Sequence, residues 1–188
     1  KQNYFFNKNE NGPLGWAGRI APEKGLEDAV KIASHLGEKL LVWGLVEDKE
    51  YASKIENTFT KGIIQWKGFL PTNKFQEQLG HCRAFINTPK WNEAYGNVIV
   101  EALACGVPVI AYDLGGPGEL IKDGLNGFLA QPNDLEGMIK ATKSISKIKR
   151  KDCREWFEKN ASNIVFAERV ENWIKKGLNK NISADFQN

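Results

Sequence analysis

Glu93-Ala-Tyr-Gly-Asn-Val-Ile-Val-Glu101 sets two carboxylates around a Gly-Asn step, and the apolar run that follows closes at Gly106-Val107-Pro108. Glycine and proline just past an apolar run stop a helix, so the spacing predicts one over Gly96–Cys105. The first N–H groups of a helix lack intrahelical partners, and the macrodipole adds partial positive charge there. Gly96 and Asn97 therefore read as a backbone cradle for phosphate, with the glycine leaving room for close approach. Glu93 falls in the loop ahead of the helix, and Glu101 more than one turn inside it. Carboxylates accept hydrogen bonds from hydroxyls strongly, so the pair suits the two ends of an elongated polyhydroxy ligand. Taken alone, two glutamates are more often a solvated surface pair.

A second cluster shifts that balance. Leu14-Gly-Trp-Ala-Gly-Arg-Ile20 reads as a buried strand, Ala21-Pro-Glu-Lys-Gly25 as a loop, and Leu26 to Leu36 as an apolar-periodic helix. Arg19 and Lys24 then flank the mouth of the loop, where a guanidinium fork and a point charge can together neutralise a diphosphate. No GxxxxGK[ST] or GxGxxG occurs; the nearest stretch, Gly115-Gly-Pro-Gly-Glu-Leu120, lacks the third glycine. This argues against a P-loop ATPase and an ordinary NAD dehydrogenase.

Strand candidates at Leu14–Ile20, Lys39–Trp43, Ile63–Lys67, Ala84–Asn87, Val107–Tyr112 and Gly127–Ala130 alternate with helix candidates at Leu26–Leu36, Glu50–Thr58, Lys74–Leu79, Gly96–Cys105, Glu119–Lys122 and Leu135–Ser146. Such alternation predicts an α/β fold with a doubly wound parallel sheet and helical crossovers. In open sheets of this kind the ligand sits beyond the carboxyl ends of the strands, where the neighbourhoods of Arg19, Gly44, Phe69 and Glu93 all fall.

The pieces Gly18-Arg-Ile-Ala-Pro-Glu-Lys-Gly25, Gly68-Phe-Leu70, Glu93-Ala-Tyr-Gly-Asn97 with Glu101, Ala102-Leu-Ala-Cys-Gly-Val-Pro-Val-Ile110, and Gly115-Gly-Pro-Gly-Glu119 leading to Gly124-Leu-Asn-Gly127 are each weak, but their order and spacing are specific. From about Leu14 to Asp134 the chain resembles the donor-binding, C-terminal half of the retaining family 4 glycosyltransferases, which pair two Rossmann-like domains in the fold called GT-B. The resemblance implies that Arg19 and Lys24 bind the diphosphate of a nucleotide sugar and stabilise the leaving group in place of a metal ion. It implies that Glu93 contacts hydroxyls of the transferred sugar, that the Ala94, Tyr95, Gly96 and Asn97 backbone approaches sugar and phosphates, and that Glu101 binds the ribose. Phe69 and Leu70 match the loop that holds the base. Arg19, Lys24 and Glu93 would carry the catalysis, with no metal and no cofactor. Ala94 and Tyr95 depart from the family's frequent Gly or Ser followed by Phe, which blurs which sugar is read.

The expected function is retaining transfer of a sugar from a nucleotide-diphosphate donor, a UDP-hexose, to an unknown hydroxyl acceptor held by a missing N-terminal acceptor-binding domain. The alternative is a non-catalytic nucleotide or phosphosugar binding module. At 188 residues and 41% hydrophobic content the chain fits about one domain. Residues 1–12 read as a boundary segment, 13–178 as the donor-binding Rossmann-like domain and 179–188 as a loose tail. Apolar residues from Arg154 to Leu178, among them Trp156, Phe157, Ile164, Phe166, Val170, Trp173 and Ile174, predict helix packed back on the domain. No stretch is long and apolar enough to span a membrane. Three separated cysteines suggest neither a disulfide framework nor a metal site and fit a cytoplasmic location. The net charge of +3, and a lysine-rich run from Lys143 to Lys151 that reads as a solvated face, give no sign of a nucleic-acid partner. His35 and His81 lack HxxxH spacing, and Trp91, beside Glu93, is the one tryptophan expected to border the sugar.

Overall fold

The computed structural model describes residue 6, residues 11–59 and residues 62–185, with side chains described through residue 177. Strands β1 (Leu14–Ala17), β2 (Leu40–Trp43), β3 (Ile64–Gly68), β4 (Ala84–Asn87), β5 (Val109–Tyr112) and β6 (Gly127–Ala130) form a parallel sheet in the order β3-β2-β1-β4-β5-β6. Between and after them run helices α1 (Leu26–Leu36), α2 (Lys49–Thr58), α3 (Thr72–Leu79), α4 (Asn97–Ala104), α5 (Gly116–Leu120), α6 (Leu135–Lys143), α7 (Arg150–Asn160) and α8 (Asn163–Asp185). This is the doubly wound, Rossmann-like order, and its direction reverses between β1 and β4. Strands β2, β4 and β5 are buried throughout, which is why they read as continuous apolar runs rather than alternating ones.

Local chemistry fixes the element ends. Gly37 closes α1 in the left-handed region, its N–H reaching Ala33 and Ser34. Asp48 and Asp134 cap α2 and α6 by accepting from the N–H groups of Tyr51 and Gly137 at 2.9 Å each. Arg150, buried at the start of α7, donates to the carbonyl oxygens of Gly80 and Cys82 at 2.7 Å each and ties that helix to the turn before β4.

Several boundaries differ from those the sequence predicts. β1 stops at Ala17, and Gly18–Arg19 leave the sheet, which frees Arg19 for the loop. β5 begins at Val109 because Pro108 has no N–H for the ladder. β2 and β3 each begin one residue later than predicted, and β3 runs on to Gly68. α5 spans Gly116–Leu120 instead of Glu119–Lys122, started by Pro117 in its first turn and ended by extended backbone at Ile121. α2 and α3 begin at Lys49 and Thr72, and α4 is Asn97–Ala104 with Gly96 as its cap. α6 ends at Lys143, and a short 3-10 turn, Ile145–Lys147, follows.

The largest correction concerns the C-terminal segment. Phe157 on α7 is buried as expected, but α8 does not pack back on the domain: Ile164, Phe166, Val170, Trp173 and Ile174 are all exposed. The helix is interrupted at Ala161–Ser162, and beyond it nothing among the described residues covers the apolar face of α8. The helix also continues to Asp185, past Asn179 where a loose tail is predicted; residues 186–188 of that tail lie outside the described residues. Of the predicted boundary segment, residues 1–5 and 7–10 lie outside them too, while the ring of Phe6 rests against Gly106. Among the described residues no helix is long and apolar enough to cross a membrane.

Candidate functional site

The loops leaving β1 and β4 meet at the point where the strand order reverses. After β1, Gly18 N–H donates to Trp43 O at 3.1 Å and Ile20 N–H to Leu45 O at 2.9 Å, so the chain runs against the loop that leaves β2. Gly44, at φ 140°, lies so close that a Cβ there would collide with the Gly18 carbonyl oxygen. Only glycine permits this contact, and it forms one wall of a crevice. Pro22–Lys24 then form a 3-10 turn closed by Gly25, which holds Lys24 over the crevice and hands the chain to α1.

The loop after β4 is fastened from both sides. Toward α1, Thr88 Oγ1 donates to Gly25 O at 2.8 Å and Lys90 N–H to Glu23 O at 2.8 Å. Lys90 Nζ pairs with the buried carboxylate of Asp28, which also receives Lys31 and the Tyr112 hydroxyl at 2.8 Å each. Burial pushes the Asp28 carboxyl up, but the hydrogen bonds from Lys31, Lys90 and Tyr112 outweigh it, and the net shift is downward. Toward β5, Glu93 N–H donates to Leu114 O at 3.2 Å, and Gly116 N–H to Glu93 O at 2.7 Å. Glu93 is thus held as a rung between two loops.

Its side chain meets the other loop directly. Lys24 Nζ lies 2.6 Å from Glu93 Oε2 and 4.5 Å above the Trp91 ring, and Trp91 Nε1 donates to the same oxygen at 3.3 Å. Arg19, half exposed, pairs with Glu23 at 2.8 Å and with Glu47. Facing them, α4 starts at Gly96, φ 94°, and no side chain caps it. Its first N–H groups line the crevice uncommitted to other turns of the helix.

The crevice has two connected ends. One, about 280 Å³, is lined by Gly44, Leu45, Phe69, Leu70, Phe75 and Glu101 and is mostly apolar; Phe69 is 71% exposed at its mouth. The other, about 260 Å³, is lined by Lys24, Asn87, Glu93, Gly96 and Asn97. Ala17, Gly18, Arg19 and Val98 line both, so Arg19 lies where the two ends meet, its guanidinium paired with Glu23 and Glu47. Glu101 sits at the floor of the apolar end, where burial raises its pKa against an opposing hydrogen bond from Gln76.

The predicted residues Arg19, Lys24, Gly44, Phe69, Leu70, Glu93, Gly96, Asn97 and Glu101 therefore share one crevice. Ala94 and Tyr95 do not line it. Both are exposed, and Tyr95 instead lays its backbone against Gly116, where any Cβ would collide.

Residues 6–164 match the model of the family Glycosyl transferases group 1. This chain belongs to that family. A glycosyltransferase of Methanocaldococcus jannaschii is 35% identical over 132 residues, which is 66% of this chain and 36% of that protein. The sucrose synthase of Acidithiobacillus caldus is 28% identical over 157 residues, 80% of this chain and 20% of the enzyme. Among solved structures, Anabaena HepE in complex with UDP superposes with a TM-score of 0.79 at 20% identity, covering 89% of this chain and 49% of that one. A glycosyltransferase of avilamycin A biosynthesis gives the same TM-score over 52% of its own length. The fold is that of one Rossmann-like half of a GT-B glycosyltransferase, and the chain spans about half or less of these proteins.

For a group 1 glycosyl transferase, sequence reasoning overlooked several contributors to this crevice. Asn87 at the end of β4, Leu45 and Thr72 line it, and Glu23 and Glu47 hold Arg19. Gly115-Gly116 stands out in the sequence as a motif, but its placement of Glu93 depends on a backbone contact that spacing alone does not reveal. Trp91, the one tryptophan expected to border the sugar, reaches Glu93 but does not line the crevice, whereas Trp16 lines its Lys24 end and Trp43 its apolar end. Cys82, Cys105 and Cys153 are free and buried, each thiol pushed up to about 12 by burial, so none offers a thiolate at neutral pH.

Proposed function

We propose that this chain is the donor-binding half of a retaining hexosyltransferase that takes a UDP-hexose and passes the sugar to a hydroxyl acceptor held by a preceding N-terminal domain. The observation that carries the reading is the sequence of environments along one crevice. An apolar end lined by a carboxylate suits a nucleoside, an arginine where the two ends meet suits a diphosphate, and a lysine–glutamate pair beside an uncapped helix start suits a sugar phosphate. In this assignment Phe69, Leu70 and Gly44 meet the base, and Glu101 accepts from the ribose hydroxyls. Arg19, Lys24 and the N–H groups at Gly96 and Asn97 meet the diphosphate.

Arg19, Lys24 and Glu93 then do the chemistry. As the anomeric carbon–oxygen bond breaks, its electron pair passes to the diphosphate, and the two cations stabilise the charge that develops there. Glu93 releases Lys24 to the phosphate and accepts from a sugar hydroxyl. The departing phosphate oxygen takes the proton of the acceptor hydroxyl, whose oxygen bonds the anomeric carbon on the same face. Two fixed cations suffice for this role without a metal ion, which predicts transfer that survives a chelator. A cytoplasmic location, where nucleotide sugars are at hand, accords with three free thiols.

Calorimetric titration with UDP, GDP, ADP and their glucose conjugates tests the reading. Selective binding of UDP and UDP-glucose, lost in Arg19→Ala and Glu101→Ala, is the expected result, with little transfer by the chain alone. Affinity for UDP-glucose indifferent to Glu93→Ala would point to a binding module instead, and failure to bind any nucleotide would overturn the donor site.

A further inference from the structure

Asn87 closes β4, paired in register with Ala111, and is 8% exposed. Its Oδ1 is buried and has no hydrogen-bond partner, which holds for no other buried side-chain nitrogen or oxygen among the described residues. Natural folds satisfy nearly all such atoms, and an orphan calls for an explanation, most directly a partner that arrives with a ligand. The position supplies one: Asn87 lines the end of the crevice shared by Lys24, Glu93, Gly96 and Asn97.

A carbonyl oxygen only accepts, so the missing partner must donate. A diphosphate ionised at neutral pH offers acceptors alone, and the ammonium of Lys24, paired with Glu93 in the empty chain, is assigned to the phosphate once the donor binds. What remains is a neutral O–H or N–H group on the ligand, at the end of the crevice opposite the nucleoside. Resting on the donor-site reading above, we propose that Asn87 Oδ1 accepts a hydrogen bond from a hydroxyl of the donor hexose and so selects among sugars. Glu93 and Asn87 then approach the same sugar from the loop and from the sheet. A donor lacking the matching hydroxyl leaves the buried oxygen unpaired and is rejected on that account.

Asn87→Leu tests this, since leucine is close in size and removes the polar group. Two readouts are taken: the melting temperature of the empty chain, and calorimetric affinities for UDP, UDP-glucose, UDP-galactose and UDP-N-acetylglucosamine. The wild type is expected to bind one sugar conjugate more tightly than UDP. In the variant that preference should fall about 5- to 50-fold while UDP affinity holds within about twofold, and the empty chain should melt at the same temperature or higher because an unsatisfied atom has gone. Asn87→Ser, which keeps a shorter acceptor, should retain part of the preference. Three results overturn the proposal: loss shared equally by UDP, which assigns Asn87 to the phosphates; preference unchanged, which makes water its partner; or a lower melting temperature, which makes its role structural. A wild-type chain that binds no nucleotide sinks the donor-site reading itself and is recognisable as such before any variant is compared.

Discussion

Glu93→Gln should tighten the binding of UDP while reducing the preference for UDP-sugar. In the empty chain Lys24 is already neutralised at 2.6 Å by Glu93, each side chain 18% exposed, so a diphosphate must compete with a carboxylate for the ammonium. Glutamine keeps a hydrogen bond from the charged Lys24 and loses the coulombic attraction of the ion pair, about 1 kcal/mol for a partly exposed pair. Replacing carboxylate by carboxamide therefore frees about 1 kcal/mol, or about a fivefold gain in UDP affinity. Lys24→Met removes the cation itself, keeps the apolar stem on Trp91, and leaves Glu93 facing the phosphates; the loss is roughly 1.5–3 kcal/mol, about 10- to 150-fold. In the empty chain each single change breaks a mostly buried pair at a cost of roughly 2 kcal/mol, between surface and core values. Each should lower the melting temperature by about 4–8 °C, and the double variant by less than the sum. Calorimetry with UDP and with UDP-sugar, beside thermal melting, reads all of this. If Glu93→Gln weakened UDP as much as Lys24→Met, with both chains folded, the competition argument would be wrong.

Three further expectations follow from the geometry. Glu47→Gln should strengthen UDP binding a few-fold by releasing Arg19 from one of its two carboxylates, whereas Arg19→Ala should weaken it at least tenfold; equal effects of the two would refute a diphosphate role for Arg19. Asp28→Asn removes one partner from a buried cluster and should cost roughly 3 kcal/mol at neutral pH, about 6–12 °C in melting temperature. Because its pKa is lowered on folding, that stability is present above the ordinary value of 3.8 and disappears as pH falls through the folded value, so melting curves of wild type and variant should converge in acid. Glu101 has the opposite sign: its raised pKa costs stability as pH climbs from the ordinary 4.5 through the folded value, so Glu101→Gln should melt higher at neutral pH, match wild type at lower pH, and still bind UDP more weakly.

The alternation of strands and helices was legible because buried parallel strands leave unbroken apolar runs between glycine and proline punctuation, as at Leu40–Trp43 and, up to the closing Asn87, at Ala84–Ile86. Arg19, Lys24, Glu93 and Glu101 were legible because strand ends and helix starts in such a sheet converge. What the spacing could not carry was pairing over long separations, such as Arg19 with Glu47, Lys90 with Asp28 or Glu93 with Gly115. Asn87 was hidden for another reason: inside an apolar strand it looks like an imperfect core residue, and only the missing partner of its oxygen marks it. On α8 the apolar spacing announced a buried face without saying what buries it.

Whether a single crevice holds the donor from base to sugar is decided by a crystal structure of the chain with UDP-hexose bound. The base is expected between Gly44 and Phe69, the ribose on Glu101, the diphosphate between Arg19 and the amides of Gly96 and Asn97, and the hexose against Glu93. A nucleotide bound anywhere else, or bound here with its phosphates at the Phe69 end, would contradict this arrangement.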